Sequence, residues 1–186
     1  MGRAKLACRV IVIVALVALP RPAAAGEVGV ATGTSGALST WRGDGAIAQS
    51  LRAGYRIGDI VSLDAMGRFG YASVDQRFLT TLALGATIYG RLGKFRPYGG
   101  IFVVHQHEEP MPAMRANPVG ALAGIGDGIR HRAGPAATLG VELPVYTQRT
   151  MLLYVAAQAE GNWFPDERGP SLYVGGALWV GVHYGL

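Results

Sequence analysis

Over much of this 186-residue chain the hydrophobic residues fall at every second position, and the residues between them are small, polar or charged. The C-terminal stretch shows the pattern most plainly: Leu178, Val180, Val182, Tyr184 and Leu186 alternate with Trp179, Gly181, His183 and Gly185. A period of two sends successive side chains to opposite faces of an extended strand, so this segment predicts a strand between two different environments. The Leu- and Ala-rich pieces elsewhere keep the same period and carry many β-branched and aromatic residues, which argues against helices.

From residue 26 onward the pattern predicts eight strands, at 27–34, 46–57, 60–71, 78–90, 96–105, 136–145, 150–163 and 171–186. In the second, Ile47, Leu51, Ala53 and Tyr55 share one face, and Arg52 and Arg56 the other. The third places Val61, Leu63, Ala65, Phe69 and Tyr71 outward and Ser62, Asp64, Met66 and Arg68 inward. In the fifth, the weakest, Ile101 and Val103 are expected on the inner face with Gly99, and Tyr98 on the outer. In the sixth, Leu139, Val141, Leu143 and Val145 oppose Thr138, Gly140 and Glu142.

The connections after strands 2, 4 and 6 (Gly58-Asp59, Leu92-Gly93-Lys94 and Thr147-Gln148-Arg149) are short, whereas the others are longer or more polar, 106–135 being the longest. An even number of alternating strands, with short turns at one end and longer loops at the other, predicts an all-β fold: an eight-stranded antiparallel up-and-down transmembrane β-barrel. Two aromatic belts are expected on its outer surface, Tyr55, Tyr98 and Tyr184 at the turn end and Phe69, Tyr71 and Trp163 at the loop end.

Residues 1–25 read as an export signal that is removed: Arg3, Lys5 and Arg9 precede an apolar run at 10–19, and Ala23-Ala24-Ala25 forms a cleavage site before Gly26. The run is too short for a membrane-spanning helix, which needs about 20 residues. Cys8, the only cysteine, leaves with the signal, so the barrel domain, 26–186, has no thiol chemistry. Four of the 17 Lys and Arg also lie there with none of the 12 acids, leaving 13 against 12. The basic balance is then a feature of export, and nucleic-acid binding loses its support.

This pattern resembles the small eight-stranded outer-membrane β-barrel proteins of the OmpA, OmpX and OmpW type, over essentially the whole chain after the signal. The resemblance implies residence in the bacterial outer membrane, with membrane lipid as the surrounding partner and the barrel-assembly machinery as the partner during insertion. The C-terminal strand, with Tyr184 third from the end, looks like the signal that machinery reads, and it departs from the commonest form by ending in Leu186.

The inward positions carry both signs of charge. Arg52, Asp64, Arg68, Glu142 and Glu160 are expected to form an interior network, with Glu27, Arg56, Tyr89, Tyr154, Gln158 and His183 among them. An eight-stranded barrel is only wide enough for side chains to fill, so these groups must pair with one another and plug the interior. A gated polar conduit is the competing reading.

One region carries candidate chemistry. His105, His107 and His131 flank the longest loop; His-x-His on a strand puts both imidazoles on one face, and with Glu109 or Asp127 nearby they form a candidate metal site for Zn²⁺ or a similar borderline ion if the two ends of the loop converge. Met111 and Met114 offer soft ligands in the same loop or pack on the rim. Acyl-transfer chemistry would need a serine beside a histidine, with Ser73 and Ser171 the candidates near His105, but there is no Gly-x-Ser-x-Gly elbow. The glycine-rich stretch 120–128 lacks the spacing of a phosphate loop and reads as a sharply turned connection. No cofactor is called for.

The sequence therefore points to a non-enzymatic outer-membrane barrel with a structural, adhesive or surface-binding role, its extracellular ligand unspecified. The rivals are a lipid-modifying enzyme of the same membrane and a soluble periplasmic barrel binding a small apolar ligand. The last requires apolar residues inside and polar ones outside.

Overall fold

In the computed structural model, residues 26–58, 60–166 and 168–185 are described; residues 1–25, on which the expected export signal falls, Asp59, Glu167 and Leu186 lie outside them. The strands are β1 (Gly26–Ser39), β2 (Gly45–Ile57), β3 (Val61–Ala72), β4 (Arg77–Tyr89), β5 (Arg96–Pro110), β6 (Arg130–Gln148), β7 (Met151–Trp163) and β8 (Leu172–Gly185). Each pairs antiparallel with its sequence neighbours, and β1 pairs with β8, so the sheet closes into a barrel. Closure leaves no strand edge unpaired.

Alternation sorts the side chains in the sense that lipid requires. Ile47, Leu51, Leu63, Leu82, Leu84, Ile88, Leu139, Leu178 and Val180 are exposed on the outer surface, while Arg56, Asp64, Thr87, Glu142 and Glu160 are buried inside. This is the inverse of a soluble ligand-binding barrel, and it excludes that rival. The interior is not uniformly polar: one apolar cluster gathers Ala31, Tyr89, Tyr98, Tyr154 and Trp179, and a second Ala83, Phe102, Val104, Phe164 and Tyr173.

The β5 faces correct the expectation for that strand. Ile101 and Val103 are 73% and 71% exposed, whereas Tyr98 is 5% exposed and its hydroxyl donates to Gln158 Oε1 at 3.1 Å. Tyr98 therefore does not belong to the outer aromatic belt. Both faces of β5 are apolar at this level, because Phe102 and Val104 pack into the interior cluster. Period-2 contrast then carries no information about which face is which.

The turns at 58–60, 90–95 and 149–150 lie at one end, and the connections 40–44, 73–76, 111–129 and 164–171 at the other. Gly93 and Arg149 take the positive φ (59° and 46°) that such tight reversals need. The β3–β4 connection is only four residues and holds a 3-10 turn, Val74–Gln76. Strands β5 and β6 extend well past the expected limits, so the longest loop shrinks to 111–129. It contains two short helices, α1 (Met111–Ala116) and α2 (Pro118–Leu122). After them Gly124, Gly126 and Gly128 all have positive φ, a sharply turned return to β6.

Candidate functional site

The interior charges stand in layers. At the turn end Arg56 of β2 reaches Glu142 of β6 (Nη2 to Oε2, 3.2 Å), Glu27 of β1 (3.4 Å) and His183 Nε2 of β8 (3.0 Å), with its guanidinium 3.9 Å from the Tyr89 ring centroid. Above it Arg52 grips Asp64 with two bonds, 2.8 and 3.2 Å, and also donates to Thr87 and Tyr89; Asp64 accepts further bonds from Thr87 and Ser62. Arg68 and Glu160, opposite each other on β3 and β7, share two bonds of 2.7 Å, while Ser50 and Gln158 complete their sets. A buried carboxylate or guanidinium is tolerated only with such partners, and bidentate pairing is the strongest form of it.

A further layer at the loop end was not expected from the sequence. Glu108 is fully buried and meets Arg77 (2.8 Å), Arg132 (3.0 Å) and Arg130 (3.2 Å); Arg77 also binds Asp44, and Arg132 binds Asp166. Gln106 and the Tyr173 hydroxyl donate to the same carboxylate. Phe164, Asp166 and Gly169 of the β7–β8 connection lie over this hub. Phe164 is buried beneath the Arg132 guanidinium, and a Cβ on Gly169 would stand 2.6 Å from Arg132 Nη1. The signal that reveals this layer is the continued alternation through Gln106 and Glu108, and again through Arg130 and Arg132, in stretches whose polarity reads as loop.

Interior cavities of about 10 and 20 Å³ lie between the layers. The first is lined by Arg52, Arg56, Asp64 and His183 among others, the second by Arg68, Gln106 and Glu160 among others. Each is close to the space of a single water molecule.

The histidines converge on the opposite, outward face of the barrel wall. Register pairs Thr80 with His107 and His107 with His131, and places His105 two residues below His107 on β5. The coordinating atoms of His105, His107 and His131 lie within 4.8 Å of one another, with His105 Nε2 and His107 Nε2 at 2.8 Å. Asp127 is exposed and outside this group, and Met111 and Met114 are half-buried in α1. Ser73 accepts from the Gly45 amide and Ser171 pairs with Thr40, so neither serine is engaged with a histidine.

No protein-family model matches the sequence, and neither does any curated protein. Among solved structures, the crystal structure of Neisserial surface protein A shares 15% identity with a TM-score of 0.58, covering 87% of this chain and 97% of that one. The crystal structure of Ail, the attachment invasion locus protein of Yersinia pestis, shares 12% with a TM-score of 0.52, covering 88% and 99%. The chain thus has the fold of the small eight-stranded outer-membrane barrels.

Proposed function

We propose that this protein is a non-enzymatic integral outer-membrane protein that does not conduct, and that meets its surroundings through the loops at the wider-looped end. The layered ion pairs carry this reading: from Glu27 at one end to Glu108 at the other, charged side chains span the lumen, and the cavities between them hold about one water each. Opening a conduit would require separating bidentate pairs in a low-dielectric interior, at several kcal/mol per pair.

Lipid is the partner of the outer apolar surface, with the turns on the periplasmic side and the 111–129 loop outside, a reading supported by the alternation of short turns and longer loops. The export segment and the barrel-assembly machinery would deliver the chain there. The exposed Val119, Leu122 and Ile125 of that loop supply apolar contact area for a surface-binding or adhesive role. Attachment is in the name of Ail, one of the fold neighbours. Ser73 and Ser171 near the outer ends are engaged in the wall and turns, which favours binding over acyl transfer.

Planar-bilayer recording of the purified protein tests the sealed interior: no steady large conductance is expected, and a stable ion-selective open channel would overturn it. Fractionation tests the location, with recovery in the detergent-extracted outer membrane and heat-modifiable gel mobility expected.

A further inference from the structure

The outward wall near the ends of β4, β5 and β6 has a property no lipid-facing surface needs. Thr80, His107 and Glu109 have outward parity, yet Thr80 is 9% exposed and the side chains of His107 and Glu109 are 13% and 0% exposed. The 111–129 loop covers them: α1 packs on β4 and β5, and the Gly124 backbone lies so close to the His107 ring that a Cβ there would be 2.4 Å from it. Gly124 has φ +73°, a conformation in which glycine is favoured, so the loop is shaped to approach this imidazole.

Beneath that cover, His107 Nδ1 is buried with no hydrogen-bond partner, and the fully buried Glu109 carboxylate has only the Thr80 hydroxyl and its own backbone amide beside it. Buried polar groups are nearly always satisfied, so an unpartnered ring nitrogen beside a buried carboxylate needs a physical reason. The geometry supplies one. His107 turns Nε2 toward His105 and Nδ1 toward Glu109 Oε1, 4.0 Å away. A metal-bound histidine commonly donates its second ring nitrogen to a carboxylate, which fixes the tautomer and the ring orientation.

We propose that His105, His107 and His131 bind one borderline divalent cation at the outer rim, with Glu109 as the positioning residue for His107. The ring centroids of His107 and His131 are 4.6 Å apart and those of His105 and His107 4.7 Å. Ligand nitrogens about 2.0–2.1 Å from a tetrahedral Zn²⁺ stand about 3.3 Å from one another. The 2.8 Å contact between His105 and His107 therefore opens slightly on binding, and His131, an exposed residue at the start of β6, swings in. Three imidazoles leave the fourth position to water or to a donor from outside. The ligand set suits Zn²⁺, Cu²⁺ or Ni²⁺ and not the hard cation Ca²⁺, which takes oxygen ligands.

The test is calorimetric titration of the untagged full chain, purified in detergent, with ZnCl₂ and separately with CaCl₂ at pH 7.5. One Zn²⁺ per chain with a Kd of micromolar or tighter is expected, with no Ca²⁺ binding. His131→Asn should weaken Zn²⁺ binding at least 100-fold, and Glu109→Gln about 10–100-fold at unchanged stoichiometry. Heat-modifiable mobility establishes that each variant is folded. X-ray absorption on the unsubstituted protein gives a second readout, with imidazole nitrogens expected about 2.0–2.1 Å from zinc. A Kd weaker than about 1 mM, or one unchanged by His105→Ala/His107→Ala/His131→Asn, overturns the site. Undiminished affinity in Glu109→Gln overturns the positioning role.

Discussion

Arg68 and Glu160 reach each other from β3 and β7 through two 2.7 Å bonds, with side chains 11% and 2% exposed. Unit charges about 4 Å apart at an effective dielectric of about 20 attract by about 4 kcal/mol. Removing one partner costs a comparable amount, about 3–5 kcal/mol, because the survivor is left buried and uncompensated. Glu160→Gln and Arg68→Met are each expected to lower the unfolding free energy by about that much. The double variant Arg68→Met/Glu160→Leu, which leaves no orphaned charge, should lose far less than the sum of the two. Refolding into lipid vesicles, followed by urea titration read by tryptophan fluorescence and gel mobility, measures all three. Losses that add within about 0.5 kcal/mol would refute coupling between the two groups. Single losses below about 1 kcal/mol would mean that the interior solvates charge as a protein surface does.

Val180→Arg and Ile101→Arg, both on the outer face, should each destabilise the inserted barrel by about 2–4 kcal/mol in the same vesicle assay, and an innocuous Ile101→Arg would restore the inward assignment of that residue. Glu108→Gln leaves Arg77, Arg130 and Arg132 facing one another around a neutral amide, so it should cost about 3–5 kcal/mol, checked by urea titration; a neutral outcome would place the hub in open water.

The strands that could be read from the sequence are those whose two faces differ in chemistry. On β3, Leu63 and Phe69 against Asp64 and Arg68 leave one assignment that keeps charge out of lipid, and the same holds for Leu139 and Val141 against Glu142 on β6. On β5 the interior accepts Phe102 and Val104 as readily as lipid accepts Ile101 and Val103, so the decision rests with neighbouring strands across the barrel. The outer hub was hidden for another reason. Arg77, Glu108 and Arg132 are polar residues at strand ends, and only three-dimensional closure turns them from a solvated loop base into a buried cluster. The proximity of the three histidines depends likewise on the β5–β6 register, which brings His131 directly opposite His107.

The partners in the interior are remote along the chain: 92 residues separate Arg68 from Glu160, and 86 separate Arg56 from Glu142. Arg68 does not meet Glu160 until β7 has joined, and Arg56, with Glu27 beside it on β1, gains Glu142 only with β6. A half-zipped sheet would hold naked charge at its open seam, where hydrocarbon cannot solvate it. Insertion should therefore pass through a hydrated, incompletely sealed form and finish in one cooperative step when β8 docks on β1, with the late-arriving strands setting the pace because loop closure must precede the reward of long-range contacts.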